Sequence, residues 1–156
     1  AEFFCLQKNT KYKDSVILNW GAHEVDLALY LLGPAKVTQV KGDDIDATIY
    51  LEHNNGCKSS VRVDYITDPQ ERNFAILDAK NKSIFADLES RLVSVNDHQT
   101  IRQYEVVGGS FDQDYIDEMK AFIERIEGKT TLGATGYDGL ACLEILLEAR
   151  KMAGLT

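Results

Sequence analysis

In the stretch LNWGAHEVDL, Leu18 to Leu27, an asparagine, a histidine and an aspartate are spaced by four and then three positions: Asn19, His23 and Asp26. Asn19 and His23 straddle Gly21 at the end of the apolar triplet Val16 to Leu18, a place where side chains project past a sheet edge. If a helix begins here, Asp26 stands one turn in, on the side of His23. A histidine at a helix N-terminus feels the positive end of the dipole, which disfavours the imidazolium and keeps the ring neutral near pH 7. A neutral imidazole accepts a proton. That suits the oxidation of an alcohol, in which the hydroxyl proton leaves as a hydride departs, and a placed base contributes ~10²- to 10⁴-fold. A lone histidine at the start of an apolar helix is also read as a packed structural group, so two readings stay open.

Competing motifs fail on spacing. HEVDL begins like a zinc-protease signature, but the second histidine would have to stand at Leu27. GDDIDATIYLE lacks the glycine of a calcium loop and alternates with period two. GATGYDG, Gly133 to Gly139, does not have dinucleotide-binding glycine spacing and reads as the loop before a helix. NKS at Asn81 to Ser83 matters only in a secreted chain. Neither Cys57, in a strand, nor Cys142, on a helix face, has a paired base. His53 and His98 read as solvent-facing groups beside turns.

The totals narrow the classes. With 156 residues the chain has the length of one domain and can bury a core. Seventeen basic against twenty-five acidic residues, interleaved along the chain, give a net charge of -8 and no basic stripe, which argues against nucleic acid. No apolar run approaches the ~20 residues that span a bilayer, so no membrane helix is expected. The chain opens on Ala1, which suggests a cut or processed N-terminus. Three scattered cysteines read as reduced thiols, and so as a cytoplasmic protein.

The elements that must hold His23 follow from periodicity. Residues 1–15 read as an opening segment or loop, and Val16 to Leu18 as a short strand. After a turn at Asn19 to Ala22, apolar Val25, Ala28, Leu29 and Leu32 recur at helical spacing until Gly33-Pro34 stops them. From Lys36 to about Val107 the period becomes two. Ile45, Ala47, Ile49 and Leu51 share one strand face, NNG at Asn54 to Gly56 makes a hairpin turn, and Cys57, Val61, Val63 and Tyr65 alternate after it. Strands in RNFAILDA, SIFADLE, RLVSV and TIRQYEVV bring the meander to six or seven. Ser110 with Gln113 forms a capping box for a helix whose face is Tyr115, Met119, Phe122, Ile123 and Ile126. A last helix, about Tyr137 to Met152, presents Leu140, Leu143, Leu146 and Leu147. Strands flanked by helices predict an α+β fold with helices on one face of a largely antiparallel sheet. The other face, rich in Thr, Tyr, Ser, Arg and Asp, is flat enough for a second domain or a symmetry mate.

These segments resemble the C-terminal domain of the glucose-fructose oxidoreductase, inositol dehydrogenase and rhizopine catabolism (Gfo/Idh/MocA) family. LNWGAHEVDLALYLLG is similar to its segment of acid, small residues, His-x-x-Asp and a helix ending in Leu-Gly. YLEHNNGCKSSVRVDY resembles its strand-turn-strand hairpin, RNFAILDAKNKSIFADL its arginine-led strand pair, and DYIDEMKAFIERIEGK with GYDGLACLEILLEARK its two closing helices. The resemblance spans about Val16 to Ala153 and implies a large open-faced antiparallel sheet of the dihydrodipicolinate-reductase-like kind.

It further implies that 16–156 is a substrate-binding and oligomerisation domain whose N-terminal Rossmann partner, absent here, binds NAD or NADP and supplies a catalytic lysine. The implied activity is oxidation or reduction at a hydroxyl of a sugar, sugar derivative or polyol, with this piece alone inactive. Carried over by position, His23 is the catalytic acid/base, Asn19 takes the place of the family's frequent aspartate, and Trp20 lies near the sugar. Asp26 joins the substrate-facing set, and Asp64, Tyr65 and Arg72 lie in strands whose counterparts in the family contribute to the substrate pocket or to the sheet-to-sheet contact between subunits, with an ordinary strand residue as the other reading of each. The asparagine departs from the family pattern, because an amide hydrogen-bonds but does not stabilise an imidazolium as a carboxylate does. Asp14-Ser15 likewise replaces the usual Gly-Gly. Face-to-face pairing of sheets would give a homodimer or homotetramer. The alternative is a non-catalytic assembly module that uses the open sheet face and merely packs His23.

Overall fold

A computed structural model describes residues 1–8, 14–78, 80, 82–97, 99–105, 111–129 and 133–155. The strands are β1 (Glu2–Leu6), β2 (Ala35–Gly42), β3 (Asp46–His53), β4 (Lys58–Asp64), β5 (Glu71–Leu77), β6 (Ser83–Asp87), β7 (Leu92–Asn96) and β8 (Ile101–Glu105). The helices are α1 (Trp20–Leu32), α2 (Phe111–Ile126) and α3 (Gly136–Met152). The strands form one sheet in the order β2-β3-β4-β1-β5-β6-β7-β8. Among the described strands only β1 and β4 run parallel; the remaining neighbours are antiparallel. The fold is therefore α+β, with a mostly antiparallel open sheet.

The opening residues are where the structure departs most from the sequence reading. Glu2–Leu6 is a strand at the centre of the sheet, not a loop. Cys5 pairs with Val63 on one side and Arg72 on the other, both distant in sequence, so a local pattern does not reveal the partners. Val16 to Leu18 is not a strand. Asn19 N donates to Ser15 O at 3.0 Å and Gly21 N to Val16 O at 3.0 Å, so the segment turns and leads straight into α1. Val16 and Ile17 are fully buried beneath that turn.

One face of β1, β3 and β4 carries Phe3, Cys5, Ile49, Leu51, Val61 and Val63 into a core closed by Val25 and Ala28 of α1 and by Ile145, Leu146 and Ala149 of α3. Gly21 belongs to the helix and not to a turn. A Cβ there would stand 3.2 Å from Leu146 Cδ2, so the missing side chain lets α3 approach α1 closely. Gly33 ends α1 at φ 84° with its N–H on Leu29 O, the glycine C-cap expected from Gly33-Pro34.

The buried face of α3 is Cys142, Ile145, Leu146 and Ala149, while Leu140, Leu143 and Leu147 are exposed. Of the four leucines read as one face, only Leu146 enters the core. The apolar face of α2, Tyr115, Met119, Phe122, Ile123 and Ile126, is likewise exposed. The capping box assigned to Ser110 lies outside the described residues, as does His98. His53 is not a solvent group: it is 2% exposed, with Nδ1 2.7 Å from Gly33 O and Nε2 2.8 Å from Ser59 Oγ. A carbonyl only accepts, so Nδ1–H donates and pins the exit of α1 to the β3–β4 hairpin. Cys57 sits in that hairpin's turn, exposed, and not in a strand. Among the described residues, no helix is long and apolar enough to cross a membrane.

Candidate active site

The turn at Val16 delivers the chain into α1 so that Asn19 takes the N-cap position, yet its side chain makes no cap. Its Nδ2 donates instead to Tyr65 Oη at 2.9 Å, joining the start of α1 to the residue that follows β4. Trp20 packs edge-on against Tyr65, with ring centroids 6.4 Å apart, and its ring lies 6.3 Å from that of His23. Asn19, Trp20, His23 and Tyr65 are thus one cluster.

His23 is exposed and lines a cavity of about 780 Å³ together with Asp26, Tyr30, Arg72, Leu88 and Leu143. Burial on one side of the ring holds its pKa below the ordinary 6.5, the Arg72 guanidinium pushes it the same way, and Asp26 opposes them. The imidazole is therefore neutral near pH 7, as read from the sequence. The causes are desolvation and a cation from β5.

Arg72 is placed by a residue that sequence reasoning passed over. Glu24 is fully buried, and its Oε1 accepts from Arg72 Nε at 3.0 Å. Burial raises the Glu24 pKa, and the charge and hydrogen bond of Arg72 offset part of that rise. Adjacent to His23 in an apolar helix, Glu24 looks like any solvent-facing acid. Only the fold, which brings Arg72 alongside from 48 residues away, gives the carboxylate its partner.

Asp64 stands apart from the cavity. It is fully buried, its Oδ1 accepts from the backbone of Ile66 and Thr67 at 3.0 and 2.8 Å, and its Oδ2 accepts from Thr67 Oγ1 at 2.6 Å. That carboxylate holds the chain where it leaves β4. The buried thiols are not nucleophiles. Burial, then the charge of Glu24, pushes Cys5 up to about 12, and burial pushes Cys142 up to about 11. The loop GATGYDG is a helix start: Thr135 Oγ1 and Asp138 form a reciprocal capping box for α3.

The arrangement offers a neutral base, a guanidinium and a carboxylate around one open cavity, with the Trp20 indole packed beside the base.

No family model matches the chain, and no curated protein matches its sequence. Solved structures do match its fold. A UDP-N-acetylglucosamine 3-dehydrogenase from Acidithiobacillus ferrooxidans superposes with a TM-score of 0.84 at 18% identity over 97% of this chain and 52% of that one. An oxidoreductase from Agrobacterium radiobacter, in complex with NAD+, L-tartaric acid and magnesium, gives 0.81 at 18% identity over 98% and 54%. A levoglucosan dehydrogenase with NADH and levoglucosan gives 0.79 at 16% identity over 98% and 56%. The chain spans about half the length of these oxidoreductases and shares the fold of that half.

Proposed function

We propose that this chain is the substrate-binding and subunit-association half of an NAD(P)-dependent oxidoreductase of the Gfo/Idh/MocA type, acting on a hydroxyl of a sugar, sugar derivative or polyol. The observation that carries the reading is His23: an exposed, neutral imidazole in the wall of an open cavity. The half-length match to sugar and NAD-linked enzymes supports the class.

In this reading a nicotinamide held by another part of the polypeptide supplies hydride acceptance when bound. His23 takes the proton from the substrate hydroxyl as its carbon becomes a carbonyl carbon, and returns it in the reverse direction. Trp20 gives the sugar an apolar face. Arg72 and Asp26 offer a donor and an acceptor to its other hydroxyls, and Tyr65 with Asn19 fixes the start of α1. The open sheet face, with Leu77, Phe85 and Ile101 exposed, pairs with a second copy. Three free thiols suit the cytoplasm. The same exposed apolar residues favour, as a second reading, an assembly module without chemistry.

His23→Ala in the full-length protein separates the two. With NAD+ or NADP+ and a panel of neutral sugars and polyols, the proposal expects turnover in wild type and a loss of ~10²- to 10⁴-fold in the variant. The melting temperature should stay unchanged, because the side chain is exposed. Retained activity with a loss of several kcal/mol of stability would establish packing instead.

A further inference from the structure

A buried carboxylate is costly, and a well-packed apolar residue in the same volume usually serves stability as well or better. Glu24 bears that cost in full. Its Oε2 is buried without a hydrogen bond among the described residues, and its Oε1 is spent on one atom, Arg72 Nε. The guanidinium it holds is not itself sealed in: the Arg72 side chain is 37% exposed and lies in the wall of the His23 cavity. Nη1 and Nη2 carry no hydrogen bond among the described residues.

We infer that Glu24 is the positioning residue of this site: by anchoring Nε from the core side, it turns the two Nη groups of Arg72 toward the cavity as a fixed fork for two oxygens of the substrate. The inference rests on the function proposed above and adds a residue to it. A planar guanidinium tied at one edge loses little freedom when the opposite edge binds, so the grip costs less entropy than a free arginine would pay. The anchor comes from the residue next to His23 on α1, so the distance between the base and the fork is set by one helix and one ion pair. Glu24 sets its charge against Arg72 from the core side, while on His23 itself Arg72 acts with Asp26 opposing it.

Glu24→Gln tests this in the full-length enzyme, since glutamine keeps an oxygen for Nε and removes the charge. With D-glucose, D-xylose and myo-inositol as probes, KM for the one turned over fastest should rise about tenfold while kcat changes less. The His23 imidazole, followed by NMR, should titrate lower than in wild type. Arg72→Lys, which keeps a charge and loses the fork, should raise KM similarly, and it decides the matter if Glu24→Gln does not fold. Wild-type KM in either folded variant overturns the inference. If wild type turns over none of the probes, the functional reading fails by itself; an unshifted His23 titration in Glu24→Gln would then still count against the role given to Glu24.

Discussion

The amide of Asn19 donates to the phenol of Tyr65 at 2.9 Å, so the residue that would be expected to cap α1 is tied to the sheet instead. This leaves His23, one turn further on, without a carboxylate from that position. Asn19→Asp should restore one while keeping an oxygen that Tyr65 can donate to. A negative charge one turn before His23 favours the imidazolium, so the His23 pKa should rise toward or past its ordinary value. Asn19→Ala should cost about 1 kcal/mol by removing the tie. NMR titration and denaturant unfolding check the two outcomes.

His23 also makes stability depend on pH. Its folded pKa lies below the ordinary 6.5, mainly through burial and then through Arg72. Below about pH 6.5 the unfolded chain therefore binds more protons than the folded one, and stability falls as pH falls through that window. Arg72→Gln removes the cation, so the His23 titration and the acid limb of kcat/KM should both move to higher pH. Urea midpoints across pH 5 to 8 and pH-rate profiles of both proteins provide the check.

His53 is the histidine on which folding depends. Replacing it by alanine leaves Gly33 O and Ser59 Oγ without partners and opens a hole at the junction of α1 and the β3–β4 hairpin. The expected loss is about 2–4 kcal/mol, from the buried Ser59 hydroxyl and the half-buried Gly33 carbonyl left unpaired and from the cavity. Thermal unfolding should show a drop in melting temperature far larger than that of His23→Ala.

The contrast between these two histidines marks what the sequence discloses. Period-two alternation located β3 and β4 because each has one face on the core, and NNG and Gly33-Pro34 marked their turns by backbone chemistry alone. Residue type misplaced His53, since a polar ring is buried only where the fold supplies two partners, here from positions 20 and 6 residues away. The same blindness hid Glu24, whose partner is in β5, and β1, whose neighbours are β4 and β5. His23 and Arg72, both read from the sequence, line one cavity, but the carboxylate that ties Arg72 to α1 was not read.

Helix α3 shows the limit of periodicity most directly, and it yields a sharp test. Its leucines line more than one side of the helix, so spacing alone could not choose between a face holding Leu140, Leu143 and Leu147 and one holding Ile145, Leu146 and Ala149. The second face is the buried one, and Leu146 on it packs against the bare Cα of Gly21. Leu146→Ala should therefore cost about 2–5 kcal/mol, whereas Leu140→Ala should change the stability of this chain by less than about 0.5 kcal/mol. Gly21→Ala would bring a methyl to 3.2 Å from Leu146 Cδ2, tighter than ordinary contact, so the Leu146 side chain must shift by a few tenths of an ångström to admit it. Combined with Leu146→Ala, which vacates that space, it should cost less than the sum of the single changes. A double-mutant cycle read by denaturant unfolding measures the coupling, and strict additivity would mean that the two helices do not meet there.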